Sequence, residues 1–194
     1  MDKPFSQACE NNKQVILDIL SIEFSQTQHV LEIGSGTGQH AVHFAPNLPH
    51  LVWQTSDQEE YHPSIQMWMN ERPSDNLLPP IPMQFPDALW PKSSIDGVFS
   101  ANTSHIMQKH EVQAMMTLID ANLPQDGVFC QYGPFIVDGE FSSQSNIDFH
   151  HKLLASGCGG YRDIKELIAW APQLNLSHIH EMPANNLLLV WRKI

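Results

Sequence analysis

Three glycines at alternate positions follow directly on a short apolar run in the stretch HVLEIGSGTGQH, which begins at His29. Glycine loses more conformational entropy on folding than any other residue, so Gly34, Gly36 and Gly38 indicate a backbone requirement at this point. An acidic residue, Glu32, lies inside the apolar run. A tight turn, a cradle for a nucleotide phosphate and a pocket for another nucleoside-bearing cofactor would each account for this pattern.

The spacing of the glycines distinguishes between these ligands. The dinucleotide fingerprint G-x-G-x-x-G would need a glycine at position 39, where this chain has Gln39. Glu32 precedes the first glycine by two residues, where a carboxylate is poorly placed for a pyrophosphate and well placed for a cationic amino group. Asp57 ends the next apolar run, at the crevice where doubly wound sheets bind ligands. The pattern favours a ligand with an amine and a ribose but no phosphate, and it disfavours a nicotinamide oxidoreductase.

Further polar side chains follow the fourth and fifth predicted strands. The stretch SANTSHIMQ supplies Asn102, which could contact a cofactor or an acceptor, and His105, which could act as a base. The alternative for this stretch is that Asn102, Thr103 or Ser104 caps the helix that follows. Tyr132 ends the fifth strand, where it could close a pocket or pack in the core.

Two pairs of histidines have a spacing that could supply one side of a metal site. His40 and His43 lie three apart on a predicted helix, and His178 and His180 alternate on a predicted strand. No pair is joined by a carboxylate or thiolate at ligand spacing, so we expect no metal.

The elements that must position these residues alternate between strands and helices. Helices are predicted over 8–20, 39–48, 61–72, 109–123, 164–174 and the second half of 139–157, where Ser145 or Asn146 is the expected cap. Strands are predicted over 30–33, 51–56, 83–85, 95–100, 127–133, 176–182 and 186–194. This order predicts an α/β fold with a doubly wound, mostly parallel seven-stranded sheet and an antiparallel C-terminal hairpin.

Composition and charge limit the classes of partner. A chain of 194 residues with 42% hydrophobic and 16% charged residues is typical of one globular domain, 1–194. The net charge of −11 would repel nucleic acid, and no stretch approaches the roughly 20 apolar residues of a membrane span. Three widely spaced cysteines and the absence of a signal-peptide pattern favour the cytoplasm. The oligomeric state cannot be predicted from these numbers.

Several stretches, in order, resemble one enzyme superfamily. VLEIGSGTGQ resembles motif I of the class I S-adenosylmethionine-dependent methyltransferases, and GVFCQYGPF resembles their fifth-strand segment. Asp57, nineteen residues past Gly38, matches the acid that binds both ribose hydroxyls in that family. PDALWPKSSIDGV resembles a further family segment, by which Asp87 would face the adenine amino group.

Within that superfamily the chain resembles the uncharacterised family that includes the methyltransferase-like 26 proteins. The resemblance rests on FSQACENNKQVIL, YGPF, SN, RDIKEL and MPANNLLLV, which together span nearly the whole chain. In the first of these stretches Glu10, Asn12 and Lys13 match a polar cluster of the family, which makes Asn12 and Lys13 candidate substrate-binding residues. The segment 1–25 would be a helical lid by analogy with such enzymes, and 26–194 the core.

The resemblance implies methyl transfer from S-adenosylmethionine to an unidentified small-molecule acceptor. The implied cofactor-binding residues are Glu32, Gly34, Ser35, Gly36, Gly38, Asp57, Asp87 and Asn102. His105 and Tyr132 are the candidate catalytic residues. The alternative is a module that binds S-adenosylmethionine or S-adenosylhomocysteine without chemistry of its own, as a sensor or a partner subunit.

Overall fold

The computed structural model describes residues 3–194, and over that range helices and strands alternate along the chain. The helices are α1 (Gln7–Glu23), α2 (Gln39–Asn47), α3 (His62–Glu71), α4 (Lys109–Asn122), α5 (Gln144–Ala155) and α6 (Ile164–Trp170). The strands are β1 (His29–Ile33), β2 (Val52–Asp57), β3 (Leu77–Pro82), β4 (Gly97–Ala101), β5 (Val128–Gly133), β6 (Leu174–Met182) and β7 (Asn186–Lys193). No helix in this range is both long and apolar enough to cross a membrane.

The strands form one seven-stranded sheet in the order β3-β2-β1-β4-β5-β7-β6. Strands β1 to β5 pair in parallel, whereas β7 runs antiparallel to both β5 and β6. The predicted doubly wound, mostly parallel sheet with an antiparallel C-terminal hairpin is therefore confirmed. The winding reverses between β1 and β4, so the ligand crevice of this fold lies at the carboxyl ends of those two strands.

Two apolar layers cover the two faces of the sheet. Helices α1, α2 and α3 bury one face around the aromatic side chains of Phe44, Trp53 and Phe99. The Phe44 ring meets the Trp53 and Phe99 rings edge-on, at centroid distances of 5.5 and 5.4 Å. Helices α4 and α6 cover the other face, where Phe129 and Trp191 are completely buried. Burial of each such side chain stabilises the fold by about 1.5–3 kcal/mol, so both layers hold the strand ends in fixed positions.

Helix α1 belongs to the first of these layers. Ser6 caps it by accepting a hydrogen bond from the Cys9 N–H, and Ile16 and Leu20 are fully buried against the sheet. The division between a lid over 1–25 and a core over 26–194 stays a prediction, and the later turns of α1 pack in the core. Only the first turns of α1 reach the crevice, because the later turns are anchored in the core.

Strand β3 lies at 77–82 and not at the predicted 83–85. Its residues Pro79, Pro80 and Pro82 favoured a loop, since proline cannot donate to a β-ladder. β3 pairs only with β2 and is the edge of the sheet. Proline is tolerated in an edge strand, where an N–H that faces away from the neighbour is not needed.

Two helix ends in the second half of the chain also differ from the prediction. Helix α5 is capped by Ser143, which accepts a hydrogen bond from the Asn146 N–H, and not by Ser145 or Asn146. Helix α6 ends at Trp170, because the chain from Leu174 pairs with β7 as part of β6. In both cases a neighbouring element sets the boundary.

Candidate active site

The glycine turn joins β1 to α2 at the carboxyl edge of the sheet. Gly34, Gly36 and Gly38 all have positive φ angles, of 76°, 56° and 91°. A Cβ on Gly34 would lie 2.6 Å from Thr103 Oγ1, and one on Gly38 would lie 2.9 Å from Ile65 Cα. These two glycines are therefore needed for the close packing of neighbouring segments against the turn.

Gly36 has a different environment, because no atom lies within 4 Å of the position that a Cβ would take. Its N–H donates to Asp57 Oδ2 at 2.7 Å, while Asp57 Oδ1 accepts from the Gln58 N–H at 2.8 Å. Partial burial raises the pKa of Asp57, an effect that these two N–H donors oppose. The turn thus presents bare backbone next to a carboxylate, as the sequence predicted.

Glu32 and Ser35 lie beneath the turn and line none of the three cavities described below. Glu32 Oε2 accepts hydrogen bonds from Ser35 Oγ at 2.9 Å and from Trp53 Nε1 at 3.1 Å. Burial raises the pKa of this carboxyl to about 7, an effect that the two hydrogen-bond donors oppose and the charge of Asp57 reinforces. The expected direct contact of Glu32 with a ligand amine is not offered by this geometry. Glu32 instead holds the turn through Ser35.

A narrow slot of about 50 Å³ opens beside Gly34 and Asp57. Its walls are mostly apolar and come from the ends of β1 and β3 and from the segment between β4 and α4; they include Ile33, Met83, Phe85, Thr103 and Met107. An apolar slot next to a carboxylate suits a flat heterocycle joined to a hydroxylated sugar. Met83 and Phe85 were missed as site residues because the sequence placed them inside a strand, whereas they lie just beyond the carboxyl end of β3.

Asp87 does not line this slot. It is exposed and borders a neighbouring open cavity of about 600 Å³, together with Glu59 and Glu60. Gln84 borders both cavities. At the position predicted for Asp87, the polar side chain beside the slot is therefore that of Gln84.

A cleft of about 590 Å³ brings four of the predicted residues together: Asn12, Asn102, His105 and Tyr132. It lies between the carboxyl ends of β4 and β5, the first turns of α1 and α5, and the turn that joins β6 to β7. Asn102 borders this cleft and its neighbour Thr103 borders the slot, so the two cavities flank one short segment.

Asn102 has a strained backbone at the carboxyl end of β4. Its φ is 56°, which is uncommon for a residue other than glycine, and its N–H donates to the Tyr132 carbonyl at 2.9 Å. Helix α4 is capped by Gln108, whose side chain and that of Glu111 exchange hydrogen bonds with the backbone. The alternative role of Asn102, Thr103 or Ser104 as the cap of α4 is thereby excluded.

His105 is an uncharged histidine in the cleft, with only 7% of its surface exposed. Burial lowers its pKa to about 4. Its ring lies 6.0 Å from that of Phe149 and 6.2 Å from that of Tyr161. A neutral imidazole has one nitrogen free to accept a proton. His105 is therefore unprotonated, as a base must be, while its lowered pKa makes it a weaker base than an exposed histidine.

A hydrogen bond from α2 orients one side chain of the cleft. His40 Nε2 lies 2.7 Å from Asn12 Oδ1, and because that oxygen can only accept, the ring nitrogen donates. Burial raises the pKa of the Tyr132 hydroxyl, an effect that the nearby Asn12 side chain opposes. His40 was considered in the sequence only as half of a histidine pair.

Lys13, the other predicted substrate residue, does not line the cleft. It pairs with Glu10 at 2.5 Å, and Glu10 also accepts from Gln39 Nε2 at 2.9 Å. Gln39 Oε1 in turn accepts the Ser6 N–H at 2.5 Å. Gln39, which served in the sequence only to exclude a dinucleotide motif, thus ties the start of α1 to the glycine turn.

Histidine, cysteine and acidic side chains do not form a metal site in the part of the chain that the structure describes, where no group of three or more could hold an ion. The rings of His178 and His180 stack at 5.9 Å on the edge strand β6.

The sequence profile of one protein family, described as proteins of unknown function (DUF938), matches residues 3–193. The chain belongs to this family. No activity follows from the membership itself, because the family is defined without one.

Solved methyltransferases share the fold at low sequence identity. Human N-acetylserotonin methyltransferase in complex with S-adenosylmethionine is 12% identical, with a TM-score of 0.81 over 96% of this chain. An O-methyltransferase family protein from Burkholderia thailandensis is 13% identical (TM-score 0.79, 96% of this chain), and PigF with S-adenosylhomocysteine is 16% identical (0.76, 92%). The chain spans only 53%, 57% and 61% of these three proteins, respectively. These similarities show a class I methyltransferase fold.

Proposed function

We propose that this protein is an S-adenosylmethionine-dependent methyltransferase that acts on a small-molecule acceptor. One observation carries the proposal: the glycine turn with its carboxylate lies beside a cleft in which a neutral histidine, two carboxamides and a tyrosine converge. A scaffold that only needed a tight turn would not require an open cleft next to it. The structural similarity to methyltransferases solved with S-adenosylmethionine or S-adenosylhomocysteine supports the same assignment.

The slot and the turn fit the cofactor. S-adenosylmethionine, when bound, supplies a methyl group on a sulfonium, which is already a strong methyl donor. Asp57 would accept hydrogen bonds from the ribose hydroxyls, and the open space at Gly36 lets a ligand approach the backbone. We assign Glu32, Ser35 and Gly38 to holding the turn. Asp87 as a partner of the adenine amino group stays a prediction, with Gln84 as a second candidate.

The residues of the cleft would align the acceptor and remove its proton. Tyr132 and Asn102 can orient the acceptor or the methionine part of the cofactor by hydrogen bonds. His105 can take a proton from an acceptor hydroxyl because it is neutral at physiological pH. Asn12 lines the cleft and can contact the acceptor, whereas Lys13 pairs with Glu10 outside it and is not assigned to the substrate.

The size and charge of the molecule favour a small acceptor. The cleft of about 590 Å³ is in the range of small-molecule sites, and the net charge of −11 disfavours nucleic acid. A relationship to the methyltransferase-like 26 proteins and a cytoplasmic location remain proposals that rest on the sequence stretches and the composition.

Calorimetric titration of the purified protein with S-adenosylhomocysteine tests the cofactor assignment. We expect saturable binding with one molecule per chain. NADH serves as the control ligand, because it carries the pyrophosphate for which the turn lacks the third glycine of the fingerprint. Binding of NADH without binding of S-adenosylhomocysteine would refute the proposed function.

A further inference from the structure

The cleft that would receive the acceptor carries no formal charge among the described residues. No Asp, Glu, Lys or Arg side chain lines it, although the chain as a whole has 31 such residues, 21 acidic and 10 basic. The polar groups in its lining are carboxamides, hydroxyls, the neutral imidazole of His105 and the thiol of Cys9, whose pKa is raised by burial. The nearby side chains of Lys13 and Glu10 form a salt bridge with each other outside the cleft.

Aromatic side chains form one wall of the cleft. The rings of His105, Phe149 and Tyr161 surround a common point, with centroid separations of 6.0, 6.2 and 6.2 Å. Phe149 on α5 is 42% exposed, although phenylalanine is among the residue types most often buried. Ring faces and edges in this arrangement favour another ring over an aliphatic chain.

Unused hydrogen-bonding capacity faces the same space. His105 is 7% exposed, and its lowered pKa has burial as its only cause, with no hydrogen bond or charge from the protein acting on it. The Tyr132 hydroxyl belongs to a residue that lines the same cleft. A ligand hydroxyl that pairs with the His105 ring would gain a hydrogen bond in a mostly buried site.

Building on the proposed function, we propose that the methyl acceptor is an uncharged compound with a flat aromatic ring and a hydroxyl group that hydrogen-bonds to His105. A charged acceptor would lose its hydration in the cleft without gaining an ion pair from the protein's side chains. A cationic acceptor would in addition be repelled by the sulfonium.

The transfer balances in atoms and charge. The acceptor oxygen forms a bond to the methyl carbon while the bond from that carbon to sulfur breaks, and the electron pair of the broken bond stays on sulfur. The hydroxyl proton passes to His105. The single positive charge thus moves from sulfur to the imidazole, so the uncharged cleft holds one cation before and after the step.

Binding of three matched probes to the protein saturated with S-adenosylhomocysteine tests the acceptor class. Naphthol is uncharged and aromatic, hydroxynaphthoic acid adds a carboxylate, and decahydronaphthol replaces the aromatic rings with saturated ones. We expect naphthol to bind about tenfold or more tightly than either analogue, measured by calorimetry. Equal or tighter binding of either analogue, or no binding of naphthol at millimolar concentration, overturns the acceptor class.

Substitution of the aromatic wall gives a second readout. Phe149→Leu should weaken naphthol binding about five- to tenfold and leave the affinity for S-adenosylhomocysteine unchanged, because Phe149 does not line the slot. Phe141→Leu is the matched control, since Phe141 packs on His150 and Tyr161 but does not line the cleft. An equal loss of naphthol affinity in Phe149→Leu and Phe141→Leu would contradict the assignment of Phe149 to the aromatic wall of the cleft.

Introduction of a charge tests neutrality directly. Ser145 is exposed on α5 and lines the cleft, whereas its neighbour Gln144 is exposed and does not. Ser145→Arg should shift the preference from naphthol towards hydroxynaphthoic acid, and Gln144→Arg should not. An unchanged preference in Ser145→Arg counts against the proposal.

Failure of the two proposals can be told apart. If S-adenosylhomocysteine does not bind, the proposed function fails. If it binds and naphthol shows no advantage over its analogues, only the acceptor class fails.

Discussion

Asp57 is the single side chain on which the cofactor assignment depends most directly. Its carboxylate lies beside the slot and accepts the Gly36 N–H at 2.7 Å. We expect Asp57→Ala to weaken S-adenosylhomocysteine binding by about 1–3 kcal/mol, the range for lost hydrogen bonds to a charged group, as measured by calorimetry.

The control for this substitution is Asp75→Ala, which removes the same charge from an exposed turn before β3. It should leave the affinity unchanged. Wild-type affinity in Asp57→Ala would show that the ribose is not bound there.

Substitution of His105 should affect turnover and cofactor binding differently. His105→Ala should lower turnover of an accepted substrate by about a hundred- to ten-thousandfold, the usual contribution of a positioned base, with S-adenosylhomocysteine affinity retained. Because the pKa of His105 is lowered to about 4, the wild-type enzyme should show no loss of activity from protonation of this base between pH 6 and 8.

His151→Ala is the matched variant, since His151 is an exposed histidine on α5 that does not line the cleft. Full turnover in His105→Ala would remove His105 from the mechanism. Thermal unfolding of the variant shows whether the core is intact.

Residues at the ends of strands could be predicted from the sequence, and residues that meet them from elsewhere could not. Asp57, Asn102 and Tyr132 each follow an apolar run, and the parallel sheet brings those ends together. Phe149 belongs to a distant helix, and its place in the cleft depends on how α5 packs. Glu32 was correctly located at the strand end, but which side of the turn its side chain would take depends on Trp53 of β2.

At the scale of elements, the start of α1 is held mainly through one amide. Gln39 accepts the Ser6 N–H and donates to the Ser6 carbonyl and to Glu10. We expect Gln39→Ala to lower the free energy of unfolding by about 1–2 kcal/mol, because these partners lose their hydrogen bonds. Urea unfolding measures this change.

Hydrogen exchange locates the effect. In Gln39→Ala the amides of the first turns of α1 should exchange faster than in the wild type, while those of β1 should not. Gln66→Ala on α3, an exposed amide that bonds only to Asn70, is the control. Unchanged exchange in α1 would mean that Gln39 does not hold it.

Strand and helix order was predictable because periodicity and apolar runs are local. Errors occurred where tertiary position overrides local preference. β3 contains prolines, which a strand tolerates at the edge of a sheet. α6 ends earlier than predicted because the residues from Leu174 onward form β6 and pair with β7. The edge position of β3 and the pairing of β6 with β7 both depend on residues that are distant in the sequence.

For the molecule as a whole, Glu32 makes stability depend on pH. Its pKa rises from 4.5 in the unfolded chain to about 7 in the fold because of burial. Between these values the folded state holds a proton that the unfolded state has released, so stability falls as the pH rises through this window. Glu32→Gln does not titrate and should gain on the order of 3 kcal/mol relative to wild type between pH 5 and pH 8.

Guanidinium unfolding at the two pH values measures this difference. Glu140→Gln, an exposed glutamate in a turn, should show none. Comparison with wild type at each pH removes the contribution of the buried histidines, whose lowered pKa values act in the opposite direction. The same difference in free energy of unfolding between Glu32→Gln and wild type at both pH values would contradict the raised pKa of Glu32.

The position of β7 has a consequence for biosynthesis. β7 is the last strand of this sequence, yet it lies inside the sheet between β5 and β6, with Leu188 to Trp191 completely buried. While the ribosome still covers residues 186–193, β5 and β6 can only present unpaired edges, which are templates for association with other chains. Folding of this half of the sheet therefore waits until residues 186–193 have left the ribosome, and until then a chaperone would protect the exposed strand edges most.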